Sequence, residues 1–208
     1  MSRDIRLAYT VYLLEELSEK AKQKAIEKNR TINVDYGDWY TGVVEGWQEI
    51  LGQCGFCNAE IYFRGFWSQG DGACFDASVN LDFFFASPKY RHLKRIQNLI
   101  EVTITKNQYA NHYHHAKTRY VEVALDDYSG RRFPRVGQLL DQLQVDIEQA
   151  RESYCNGIYE ALRQEYESQT SDNAVAETLV ANEYEFMSDG ELLFDRRIQY
   201  SDLLPLAV

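Results

Sequence analysis

A chain of 208 residues with 45% hydrophobic residues and only 3 prolines is long enough to bury a core without metals or disulfides, and too apolar to be disordered. No uninterrupted apolar run approaches the ~18 residues of a membrane span. The opening "MSRDIRLAYTVYLLEEL" is broken by Asp4 and Arg6 and then turns acidic, so it does not read as a leader and a soluble cytoplasmic protein is expected. The formal charge of −10 is unevenly spread, with 15 acids against 4 basic residues between Asp141 and Asp202. That excess disfavours direct nucleic-acid binding, which needs Lys and Arg against phosphates. It suits a basic protein partner or a solvated helical face.

In chain order, Ile5, Leu7, Tyr9, Val11 and Leu13 alternate, predicting an opening strand. Ser18 then caps "EKAKQKAIEKN", a run of good helix formers. Tyr36, Trp39, Tyr40, Val43, Val44, Trp47, Ile50 and Leu51 recur at three- and four-residue steps, predicting a second helix with a wide apolar face. The spacing "CGFC" from Cys54 to Cys57 follows that helix, so Gly55 reads as its left-handed closing residue. A redox pair would precede a helix, and a structural zinc would need four ligands.

A hairpin follows. Ile61 and Phe63 alternate before its tip; Phe75, Ala77, Val79, Leu81, Phe83 and Phe85 share one parity after it, predicting a long strand with a buried face. Ser87 and Pro88 signal a helix start, with Leu93, Ile96 and Ile100 on its stripe. A second strand pair is expected from Val102 to about His114 and from Thr118 to Leu125. Pro134 opens a long helix, roughly 30 residues or about 45 Å, striped by Leu140, Leu143, Ile147, Ala150, Tyr154, Ile158 and Ala161. Ser171 caps another helix, and "EYEFMSDGELLF" reads as strand, Asp-Gly turn and strand. The expected class is α+β, a single domain over 1–208 with an antiparallel sheet of hairpins packed on helices. Trp39, Trp47, Phe83, Leu143 and Ile147 are the expected core.

The hairpin tip, "WSQGDG", carries more than a reversal of the chain needs. Trp67 offers a stacking face; Ser68, Gln69 and Asp71 offer hydroxyl, amide and carboxylate; Gly70 and Gly72 let a partner approach the main chain. With Arg64 on the strand leading in, this reads as a recognition loop, because only one carboxylate is local. The bland alternative is a wide turn with Trp67 folded back on the sheet. "NHYHH" supplies His112, His114 and His115. His112 and His115 extend the candidate binding set, and with Asp71 they form the alternative metal site. No nucleophile elbow, phosphate loop or zincin motif is present. No cofactor is expected.

The stretch "YFRGFWSQGDGACF" resembles the signature of a family of small bacteriophage proteins loosely labelled antitoxins. The likeness extends to "ELSEKAKQKA", "HYHH" and "QTSDNAVAETLVANEYEFMSDGEL", and so covers most of the chain. Gly65 to Ala73, His112 and His115 match the pattern, whereas 111–117 lacks its glycines. The resemblance implies a phage accessory protein, acting in the infected cell without catalysis, that neutralises a host toxin or defence component. The alternative is a binder, or a metal-assisted hydrolase, of a nucleotide-like small molecule, using the tip and the histidines.

Overall fold

The computed structural model describes residues 9–108, 113–126 and 134–193. In chain order they form β1 (Tyr12–Leu13), α1 (Glu19–Lys28), α2 (Thr41–Gln53), β2 (Phe56–Arg64), β3 (Gly72–Val79), α3 (Leu81–Phe85), β4 (Ile100–Lys106), β5 (Arg119–Leu125), α4 (Pro134–Gln169), α5 (Asp172–Ala181) and β6 (Glu185–Phe186). The class is α+β, with the long helix in the C-terminal half. The hairpins stay separate as three two-stranded antiparallel ladders, β1–β6, β2–β3 and β4–β5. By backbone packing the chain falls into two compact units, 1–39 with 166–208, and 40–165.

In the first unit, Ser18 and Ser171 cap α1 and α5 by accepting from the Ala21 and Ala174 amides, as their positions in the sequence predict. The apolar faces of these helices enclose Leu14, Leu17, Ala25, Val175, Leu179 and Phe186. The Asp-Gly turn forms: Gly190 donates its amide to the Met187 carbonyl at 2.9 Å, and Phe186 bridges Leu192. Lys24 and Lys28 of α1 hold Asp189 and Glu191 of that turn at 3.0 and 2.7 Å. The predicted opening strand is reduced to Tyr12–Leu13, and Ile5 and Leu7 lie outside the described residues.

In the second unit, Gly55 closes α2 in the left-handed region at φ 88°, and its carbonyl accepts from the Asn80 amide at 2.8 Å. The four cysteines are unpaired thiols. Burial pushes the Cys155 thiol up to about 12, and Cys74 is raised for the same reason.

Two expectations fail at the end of β3. The strand stops at Val79, because Asn80 turns its side chain to accept from the Asp82 amide and starts α3. Phe83 is consequently 47% exposed, with its ring against Gly55 instead of in the core. The helix expected at Pro88 is a 3₁₀ segment beginning at Arg91. Trp39 and Trp47 are half-buried, whereas Leu143 and Ile147 are fully buried as expected.

The buried stripe of α4 runs Leu140, Leu143, Ile147, Arg151, Cys155, Ile158 and Leu162. Arg151 is completely buried and fully used. It donates to the carbonyls of Ala116 and Arg119 at 2.8 and 2.9 Å and to Glu148 at 2.5 Å. Glu148 in turn accepts from the Val121 amide at 2.9 Å, and Gln144 accepts from Val123 at 3.3 Å. Side chains of α4 thus take the Val121 and Val123 amides of β5, on the edge turned away from β4. This fixes where β5 starts, and with it the segment 113–118 that precedes it.

Candidate functional site

The tip is built by its own acid. Asp71 Oδ2 accepts from the amides of Trp67 and Ser68 at 2.9 and 2.6 Å, while the Asp71 amide donates to the Ser68 carbonyl at 3.1 Å. The carboxylate therefore does the work of a cap, fixing the loop where no strand or helix supplies partners. Below it, Phe66 is buried against Phe63 and Tyr159, and the Tyr159 hydroxyl donates to the Phe66 carbonyl at 3.0 Å. Trp67 touches Phe66 edge-on, yet stays 68% exposed. It is not folded back on the sheet.

The glycines serve a close approach, and the approaching group belongs to the chain itself. At Gly70, with φ 92°, an added Cβ would stand 2.6 Å from the Tyr113 ring. At Gly72 it would stand 2.6 Å from the Cβ of His115. The segment before β5 is thus seated on the tip. The His115 carbonyl accepts from the Thr118 amide and hydroxyl at 2.9 and 2.7 Å, and Arg151 holds Ala116 from below.

Between these residues lies His114. Its ring stacks on Tyr62 at 5.9 Å, with Nδ1 4.0 Å from the Cys74 sulfur. Burial pushes the imidazole below its ordinary value, and the nearby cations Arg119, Lys106 and Arg64 push the same way. Arg119 lies over the other partner in that stack, 5.1 Å from the Tyr62 ring centroid, and its Nε donates to Asp76 at 2.7 Å. His114 is held here as a neutral packing group.

Two cavities open at the tip and share Gln69, Gly70, Asp71 and Tyr113. One, of about 470 Å³, is lined by Gln69, Gly70, Asp71, Tyr113 and His115; the other, of about 370 Å³, by Arg64, Ser68, Gln69, Gly70, Asp71 and Tyr113. Of the residues singled out in the sequence, Arg64, Ser68, Gln69, Gly70, Asp71 and His115 line one or both. Trp67 is exposed and lines neither cavity, and Gly72 is buried beneath His115 as the first residue of β3. His112 lies outside the described residues. Among the described residues, no group of three or more His, Cys, Asp or Glu is arranged to hold a metal. Sequence reasoning missed Tyr113, which lines both cavities and is 48% exposed; the histidines on either side of it drew attention as ligands. It also missed Arg151, whose signal was a basic residue four positions after Ile147 on the apolar stripe.

No curated protein and no solved structure matches the chain. Residues 39–172, which span the α2–α4 region and the whole tip, fit the model of a domain of unknown function, DUF8835, and the chain belongs to that family.

Proposed function

We propose that the protein is a non-catalytic binding protein that presents the Trp67–Gly72 tip to a host protein, a toxin or defence component, and neutralises it by covering its surface. It would act in the cytoplasm of an infected cell. The observation that carries this reading is Trp67, 68% exposed on a loop fixed by Asp71 from within and seated against Tyr113 and His115. Exposed Trp, Tyr and Arg are the residue types that most often dominate protein interfaces. A rigid aromatic also loses little freedom on binding. The resemblance to phage proteins with an antitoxin label points the same way, and the acidic last third favours a basic partner.

A second reading, a binder of a nucleotide-like small molecule, is favoured by the 470 Å³ cavity beside an exposed aromatic ring. One experiment separates the two. A photo-crosslinking amino acid replaces the exposed Ser68 in the bacterial host, leaving Trp67 in place, and the purified protein is screened by thermal shift with nucleotides and divalent cations. The protein-binding reading expects one discrete crosslinked protein and no nucleotide shift. A ligand at 100 times its dissociation constant stabilises by about 2.7 kcal/mol, so a nucleotide shift of that size without a crosslink would replace the first reading with the second.

A further inference from the structure

The tip acid has one oxygen that the loop does not use. Asp71 Oδ2 takes both amides, at 2.9 and 2.6 Å, while Oδ1 has no hydrogen-bond partner among the described residues. Asp71, whose carboxylate rests over Gly65, lines the 470 Å³ cavity together with Gln69, Gly70, Tyr113 and His115. Tyr113 is 48% exposed, and its ring is set against Gly70. A carboxylate fixed by two amides therefore stands in one cavity with a fixed aromatic ring.

That combination selects a cation. An aromatic face attracts positive charge through its quadrupole, and a carboxylate adds a charge-assisted hydrogen bond. A guanidinium uses both at once, because it is planar, carries a fork of donors and sheds water more easily than an ammonium. A ligand carboxylate or phosphate would instead meet Asp71. In the adjoining cavity Arg64 and Ser68 take the place of His115, which disfavours a second cation there and orients the first. We infer that the cavity between the tip and Tyr113 receives an arginine side chain of the partner protein, paired with Asp71 Oδ1 and stacked on the Tyr113 ring. The inference rests on the protein-binding reading of the tip and names its anchor.

The test is an NMR titration of the full chain with N-acetyl-arginine methylamide, followed at the Trp67, Ser68 and Gly70 amides. Saturable shifts at these amides are expected in the millimolar range. Asp71→Asn keeps an oxygen for the two amides and removes only the charge, so the unliganded loop resonances should hold their positions. Binding should weaken at least tenfold in Asp71→Asn and in Tyr113→Leu, and N-acetyl-glutamine methylamide should leave the wild-type amides unmoved. The inference is overturned by an absence of shifts with the arginine probe, by equal shifts with the glutamine probe, or by undiminished binding to Asp71→Asn. Should Trp67→Ala abolish partner capture while Asp71→Asn does not, the protein-binding reading survives and the arginine anchor falls.

Discussion

Arg151→Ala removes the group that ties α4 to the segment seated on the tip. The side chain is fully buried and makes hydrogen bonds to two carbonyls and to Glu148. Removing one member of a buried pair costs about 3–5 kcal/mol, because the other charge is left without a partner. Glu148 keeps 28% of its side-chain exposure and its bond from the Val121 amide, so water offsets part of that loss. The stranded carbonyls of Ala116 and Arg119 add back roughly 1–3 kcal/mol each if they stay dry. A net loss near 4 kcal/mol is expected. For a chain of this length about 2–4 °C accompanies each kcal/mol, so calorimetry should record a transition lowered by about 8–16 °C. The double variant Arg151→Met, Glu148→Gln should recover part of this, since no charge is stranded and the glutamine oxygen can still serve Val121. If Arg151→Ala melts within about 2 °C of wild type, the clamp does not organise the segment and the account of how the tip is positioned is wrong.

Gly70→Ala forces a left-handed backbone on alanine and pushes a Cβ to 2.6 Å from Tyr113, so it should cost about 1–3 kcal/mol and shift the Tyr113 ring resonances; a variant as stable as wild type would show that the seat is loose. Asp71→Ala frees two amides of the loop and should cost about 1–3 kcal/mol, whereas Asp71→Asn should cost much less, as thermal melts of both will show. His114 is neutral in the fold, with its pKa lowered by burial, so the unfolded chain takes up the proton first. Stability conferred at this site is complete above about pH 6.5 and declines as pH falls through that value toward the lower folded one. His114→Gln should flatten that slope in denaturant titrations between neutral and mildly acid pH. In the first unit, Asp189 and Glu191 are held low chiefly by Lys24 and Lys28 respectively. Their contribution is present above about pH 4 and lost in stronger acid, and hydrogen exchange at Gly190 should rise there first.

What was legible in the sequence was local chemistry. Ser18, Ser171 and Gly55 sit where caps belong, and the 3.6-residue stripe through Leu143, Ile147 and Ile158 gave the long helix without reference to anything else. The α+β class and the Asp-Gly turn followed from the same kind of signal. The period-two pattern runs unbroken from Phe75 to Phe85 and puts Phe83 in the core, because nothing in parity reveals that Asn80 caps a helix. The composition of the tip marks it as unusual, but the purpose of Gly70 and Gly72 is hidden in the sequence: the groups that need the space come from Tyr113 and His115, some forty residues on. Asp71 looked free for a ligand, whereas one of its oxygens is already used by backbone amides that no side-chain pattern displays. Long-range contacts of this kind are written in the fold and not in the spacing.

If the tip binds a protein as proposed, the exposed aromatic on its preformed loop carries much of the affinity. Titration calorimetry of the crosslinked partner against wild type and Trp67→Ala tests it most directly. A hot-spot aromatic is worth 2 kcal/mol or more, about a 30-fold loss of affinity. An exposed residue moves stability by no more than about 0.5 kcal/mol. Trp67→Ala should show that loss with an unchanged melting temperature; full affinity, or a variant that unfolds, would contradict protein binding through the tip.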